Sequence, residues 1–201
     1  MQPVVFSDAS NKPDATDGLS RYGFSVQMPG GPIAFNSKKL AHVGLSAFHN
    51  EYMALRHAAG SAMWIRNILT EIGCKHLIKQ PTQVFGDNLM ANRLTAEDFT
   101  STNNQYIYLP YHWTKELVKG GHIKVPYVQT KINVADLMTK SVDGHTIINL
   151  RNKLTGYDTE WLWQLLEDQT PPNVKEVITC WASWLWPRED AIAYHKWRLG
   201  G

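Results

Sequence analysis

The sequence predicts an α/β chain on a mixed five-stranded sheet, elements in the order βββαβαβα, with flanking helices and a Trp-rich C-terminal extension. Three observations carry that expectation. Three β-patterned stretches joined by short polar loops fill the first forty residues. A long apolar stripe at helical spacing follows Ser46. Strand-like and helix-like stretches then alternate, as they do where helices pack on a sheet. With 201 residues, 43% of them apolar, the chain can bury one such core and carry an appendage.

Each element has its own signal. Val4-Val5-Phe6-Ser7-Asp8 is a short apolar run that ends in polar residues, a first strand. After a loop rich in Asp, Asn, Pro and Gly, the residues Tyr22, Phe24, Val26 and Met28 recur at every second position, the period of a half-buried strand. Pro29-Gly30-Gly31-Pro32 marks a turn, and Ile33-Ala34-Phe35 enters a third strand. From Ser46, Phe48, Tyr52, Leu55, Ala59, Ala62, Ile65, Leu69 and Ile72 repeat every three to four residues until Gly73, an amphipathic helix. Thr82-Gln83-Val84-Phe85-Gly86-Asp87 forms a fourth strand and 88–95 a short helix. A further helix spans 106–119, stopped by Gly120-Gly121. Ile123, Val125 and Tyr127 alternate as a fifth strand, and helices are expected over 134–140 and 143–155.

Composition changes after Gly156. Residues 1–155 carry 16 Lys/Arg against 11 Asp/Glu, whereas 156–201 carry 4 against 7 and six of the eight tryptophans. The expected division is therefore a domain over 1–156 and an extension over 157–201. The mildly basic body suits a polyanionic partner without specifying one. No stretch has the length of a membrane span, the N-terminus lacks a signal-peptide pattern, and Cys74 and Cys180 are the only cysteines. No His/Cys pairing has zinc spacing, so an intracellular, reducing setting, cytoplasmic or nuclear, is the expectation.

Four carboxylates fall where chemistry would need them. Asp8 ends the first strand, Glu51 lies in the first turns of the long helix, Asp87 ends the fourth strand and Asp136 opens the helix after the fifth. Singly, such residues are usually caps, turn formers or solvated surface groups. Jointly, on this element order, they converge if strands one and four are neighbours. Carboxylates gathered that way repel and are costly to bury unless cations neutralise them. Two Mg²⁺ ions about 3.5–4 Å apart would do so, activate a water and stabilise a departing oxygen; Mn²⁺ is a possible substitute.

The segments Ser7-Asp8-Ala9-Ser10, Ser37-Lys38-Lys39, Asn50-Glu51-Tyr52-Met53-Ala54-Leu55, Asp87-Asn88 and Ala135-Asp136-Leu137-Met138-Thr139-Lys140 occur in order and at compatible spacing. With Tyr111-His112 and Leu150-Arg151-Asn152-Lys153-Leu154, they resemble the signatures of the Ty1/copia retrotransposon ribonuclease H domain over roughly residues 3–156. The resemblance implies an RNase H-like fold and a DEDD metal site: Asp8, Glu51 and Asp87 as core ligands, Asp136 supporting the second metal. At a helix start, Asp136 is expected to be the more exposed ligand. It implies hydrolysis of the RNA strand of an RNA–DNA hybrid, leaving a 5′ phosphate, within a retrotransposon's reverse transcription. Partners would be the hybrid and, in the parent element, a reverse transcriptase or other polyprotein segment, with retrotransposon particles as a possible location. The chain departs from the family pattern at Ala47-Phe48-His49-Asn50 and at Gln105-Tyr106-Ile107. Those changes bear on substrate grip more than on metal binding.

Asn88, beside Asp87, is the candidate donor to a sugar or phosphate, and Lys38, Lys39 and Arg56 are candidate phosphate contacts. His49 and His112 read as structural rather than acid–base residues. Trp161, Trp163 and Trp184 read as apolar anchors. A domesticated, non-catalytic nucleic-acid or protein-binding module on the same fold is the rival expectation. An integrase or transposase is a weaker one, because Glu51 comes too early for a DDE triad.

Overall fold

The computed structural model describes residues 2–10, 17–28, 30–41, 44, 46–96, 108–156, 158 and 160–168. The expected helix start at Tyr106, the 105–107 segment, and the extension beyond 168, with Cys180 and Trp184, lie outside the described residues. One compact unit runs over Met1–Thr159 and a second begins at Glu160. The described part of the second is one helix, α5 (Glu160–Asp168), in which Trp161 and Leu162 are buried.

The first unit holds a five-stranded sheet in the order β3-β2-β1-β4-β5. Its strands are β1 (Val4–Ala9), β2 (Arg21–Met28), β3 (Gly31–Lys39), β4 (Thr82–Gly86) and β5 (Ile123–Lys124). The first three form the expected antiparallel meander, while β4 and β5 join β1 in parallel. The mixed sheet thus puts β1 at its centre, between β2 and β4. An apolar run with no polar alternation is the pattern of a strand covered on both faces. Val4, Val5 and Phe6 are indeed fully buried.

Helix α1 (Ala47–Glu71) covers one face. Ser46 caps it by accepting from the His49 N–H, and Gly73 follows its end at φ 81, a conformation that suits glycine. The inward stripe is Ala54, Ala58, Ala59 and Ala62 beside Leu55, Ile65 and Leu69, small enough to bring the helix close to Val5, Phe24, Val26 and Val84. On the other face Phe6 stacks on Phe85 with ring centroids 5.1 Å apart.

Three expectations change in detail. Strand β2 is buried from Tyr22 to Gln27, not half-buried. The cause is a second cover: the 3-10 helix Val134–Met138 packs against β1 and β2. That segment replaces the α-helix expected over 134–140. It is a one-turn connector, because Asp143 already caps α4 (Gly144–Leu154) a few residues on. The fifth strand is shorter than 123–127. Pro126 has no N–H to continue the ladder, and pairing resumes only as a single bridge between Gly86 and Tyr127. The short helix α2 (Leu89–Leu94) and α3 (Tyr108–Lys119) complete the unit.

Candidate metal centre

The three aspartates meet at one end of the sheet because parallel pairing sets β1 beside β4. Ser7 is level with Gly86, so Asp8 and Asp87 leave neighbouring strands together. Asp8 is the penultimate residue of β1 rather than its end, and Asp87 is the first residue beyond β4. One carboxylate oxygen from each of Asp8, Asp87 and Asp136 lies within 4.8 Å of the other two.

Asp136 reaches this point through a turn that is pinned rather than free. Asn133 caps the turn by accepting from the Ala135 N–H at 3.2 Å, and its amide donates to the Ser7 carbonyl at 3.0 Å. The turn also needs bare backbone beneath it. Gly23 is the cross-strand partner of Asp8, and a Cβ there would lie 2.4 Å from Met138 Cβ. The Ser37 hydroxyl donates to the Met138 carbonyl from β3. At the other ligand, Thr130 donates to Asp87 at 2.9 Å.

Glu51 lies close enough to Asp8 and Asp87 to feel their charges, but is not one of the three carboxylates that converge within 4.8 Å. It is buried in the second turn of α1, where the Ala9 backbone hydrogen-bonds its carboxylate. Burial first, then the charges of Asp8 and Asp87, push its pKa up to about 9. Burial and Asp136 push Asp8 up to about 7, against the opposing influence of Lys140 and of a hydrogen bond from Thr139. Burial also raises Asp136. These acids are held where their charged forms are costly, and a divalent cation reverses that cost.

The donor set fits a hard cation. Every ligand atom in the trio is a carboxylate oxygen, with neither His nor Cys among them. The Oδ1 atoms of Asp8 and Asp136 are buried, and that of Asp8 accepts no hydrogen bond. The expected exposed position of Asp136 is corrected here: Asp136 is only 5% exposed, and Asp87 is the more open of the two. The tie from Asn133 draws the turn down onto β1, which an unpinned helix start would not do.

The expected nucleic-acid contacts separate. Lys38 is exposed and level with Tyr22, whose ring stacks on His57 at 4.2 Å. Burial lowers the His57 pKa, and the charges of Arg56 and Lys38 lower it further, so these two cations share a patch. Arg56 lies over Trp113, 5.9 Å from the ring centroid. Lys39 is turned to Asp17 in a 2.6 Å ion pair. Asn88 caps α2, its oxygen accepting from the Met90 and Ala91 N–H groups, which leaves its amide nitrogen as the donor. His49 sits in the first turn of α1, and His112 packs its ring edge-on to Tyr111.

Sequence reasoning missed Lys140. Its ammonium lies 3.1 Å from Asp136 and 3.7 Å from Asp8. The four-residue spacing from Asp136 to Lys140 was its available signal. Asn133, Thr139 and Gly23 gave none, because their partners lie in distant segments of the chain.

No protein-family model matches the chain. It is 30% identical over 150 residues to the retrovirus-related Pol polyprotein from transposon RE2 of Arabidopsis thaliana, an alignment covering 75% of the chain and 10% of that protein. It is 29% identical over 137 residues to the corresponding polyprotein from transposon TNT 1-94 of Nicotiana tabacum, covering 68% of the chain and 10% of that protein. The chain therefore spans about a tenth of the length of the curated relatives it matches. Among solved structures, RNase H1 from the halophilic archaeon Halobacterium salinarum NRC-1 superposes with a TM-score of 0.50 at 16% identity, covering 69% of this chain and 95% of that one. LC11-RNase H1 in complex with an RNA/DNA hybrid gives a TM-score of 0.50 at 12% identity, covering 69% and 94%. These structures share the fold and the polyproteins share sequence with the chain, which fits a retrotransposon RNase H-like domain.

Proposed function

We propose that this chain is a metal-dependent endonuclease of the Ty1/copia ribonuclease H type, which hydrolyses the RNA strand of RNA–DNA hybrids. The observation that carries the reading is the convergence of Asp8, Asp87 and Asp136 within 4.8 Å, with buried Glu51 near Asp8 and Asp87. Asp8 and Asp87 would hold two Mg²⁺ ions between them, Glu51 would serve one ion and orient the attacking water, and Asp136 would complete the second site. Mn²⁺ offers the same hard coordination and would substitute. Bound there, the pair supplies Lewis acidity to the scissile phosphate and charge neutralisation to the leaving 3′ oxygen. The residues of the chain hold the carboxylates in place before substrate arrives, so little reorganisation is needed.

Substrate grip falls to the Lys38–Arg56 patch for phosphates and to the Asn88 amide for a sugar or phosphate, with Lys39 contributing once freed from Asp17. A 2′-hydroxyl contact would distinguish RNA from DNA. Residues 1–156 carry the activity in this reading, and an intracellular setting goes with it. In the parent element the neighbouring polyprotein segment would be the reverse transcriptase. No helix among the described residues is long and apolar enough to cross a membrane.

The test is a labelled RNA–DNA hybrid with MgCl2 or MnCl2, beside single-stranded RNA and duplex DNA, using the wild type and Asp87→Asn. Metal-dependent cutting of the hybrid's RNA alone, lost in Asp87→Asn with unchanged circular dichroism, is the expected result. Binding of the hybrid with no cutting at any metal concentration would refute the proposal and favour the non-catalytic binding module.

A further inference from the structure

We propose that Lys140 is a resident counter-cation of the carboxylate site, which an entering divalent ion must displace, so that this lysine sets how tightly the site takes metal. The inference rests on the metal-binding reading above. It starts from geometry: the Lys140 ammonium lies 3.1 Å from Asp136 Oδ1 and 3.7 Å from Asp8 Oδ1. Those same two oxygens are buried, and that of Asp8 accepts no hydrogen bond. The carboxylates of Asp8 and Asp136 thus share one ammonium, which offsets part of their charge.

The side chain is built to leave. Lys140 is 38% exposed, whereas Asp8 is 1% exposed, so the lysine can swing to solvent while its partners cannot. Its long flexible stem makes the ammonium a movable point charge rather than a fixed fork. It also follows Thr139, whose hydroxyl donates to Asp8, so the backbone beneath it is anchored when the ammonium moves. A cation and a divalent ion a few ångströms apart repel strongly in a partly buried site. Both cannot remain against the same oxygens. The metal-free protein gains a partner for its acids, and the loaded protein must give that partner up.

The experiment compares Mn²⁺ binding to the full chain by isothermal titration calorimetry in the wild type, Lys140→Gln and Lys140→Arg. Removing the competing charge should tighten Mn²⁺ binding about tenfold or more. Lys140→Arg, which keeps the charge, should bind no tighter than the wild type. In metal-free buffer the neutral variant should melt lower than the wild type and recover with saturating Mn²⁺. A purely structural lysine would not produce tighter binding. A second measurement does not depend on the variants folding: in the wild-type chain, the Lys140 side-chain carbon signal should shift as MgCl2 is added, with the midpoint of metal binding. Equal or weaker Mn²⁺ affinity in Lys140→Gln, or a Lys140 signal that stays still while metal binds, would overturn the inference alone. Failure of every form, wild type included, to bind Mn²⁺ or Mg²⁺ would overturn the metal reading and this inference with it.

Discussion

Replacing Asp8 by Asn should make the metal-free protein more stable while destroying its metal site, and the size of the gain should grow with pH. Asp8 is 1% exposed, and burial with Asp136 nearby raises its pKa from 3.8 to about 7. An acid whose pKa is raised in the folded state holds its proton more tightly there than in the unfolded chain. Its contribution is therefore fully present below about pH 4 and is lost as pH climbs toward 7. At 1.36 kcal/mol per pH unit, the loss from Asp8 is on the order of 4 kcal/mol. That is a large part of the 5–15 kcal/mol typical of a folded domain. Asn has the same shape, still offers an oxygen to Thr139, and does not ionise. Urea denaturation of both proteins in chelator-treated buffer at pH 4.5, 6 and 8 measures the difference, and comparing the two cancels the titrating groups that do not feel the charge of Asp8. The curves should diverge as pH rises, with Asp8→Asn ahead at pH 8. Adding MgCl2 should then close the gap, since only the wild type gains from binding, about 2.7 kcal/mol at a hundred times Kd and about 4.1 kcal/mol at a thousand times Kd. Parallel pH profiles for the two proteins would show that Asp8 is not held at an electrostatic cost.

Other outcomes follow from the same geometry. Gly23→Ala should weaken Mg²⁺ binding and lower the melting temperature, because the new Cβ meets Met138 Cβ at 2.4 Å; unchanged calorimetry would mean the turn can retreat freely. Asn133→Ala strips partners from the Ser7 carbonyl and the Ala135 N–H, at a cost of about 1–3 kcal/mol in denaturation. Its hybrid cleavage should fall with Asp136 set loose, and full activity would show the tie is dispensable. Asp136→Asn should lose as much cleavage as Asp87→Asn, since Asp136 is the more buried ligand; a mild loss would return it to a supporting role. Lys38→Ala should reduce the slope of log hybrid affinity against log salt by roughly 0.9, and Lys39→Ala by less, because Lys39 already pairs with Asp17. Equal changes in fluorescence anisotropy would remove that distinction.

The sheet was legible because its signals are local. Alternation at Tyr22, Phe24 and Val26, the apolar run at Val4 to Phe6, and the stripe of α1 each declare an element within a dozen residues. The acids were legible too, since Asp8, Glu51 and Asp87 occupy ends and first turns of those elements. Everything that depends on two distant segments was not. The second cover on β2, the depth of Asp136 and the approach of the Lys140 ammonium to Asp8 arise from contacts over a hundred residues apart in the chain, such as Asn133 to Ser7 and Thr139 to Asp8. The 3-10 helix misread as an α-helix is the same failure. Local propensity at Ala135 and Leu137 favours a helix, but the capped start of α4 leaves no length for one.

That division of labour bears on what the fold must do for the site. Clustered buried acids destabilise the protein that carries them, so no individual carboxylate explains why the cluster persists. It persists because each ligand is attached to something that cannot give way. Asp8 lies on the central strand, where Val4, Val5 and Phe6 are wholly buried. Asp87 follows Gly86, where a Cβ would crowd Asn92 and Leu55 between β4 and the helices above it. Asn92 donates to the Gly86 and Pro126 carbonyls there, at 2.8 and 3.2 Å, and holds the strand end in register with the chain leading to Thr130. Asp136 is the exception, carried on a one-turn connector, and it alone has ties on both sides, from Asn133 to β1 and from Met138 to Ser37 on β3. The neutral residues around the site therefore store the stability that the acids spend. Loss of Asn133, Asn92 or Gly23 should disable the centre with all four carboxylates still present in the sequence.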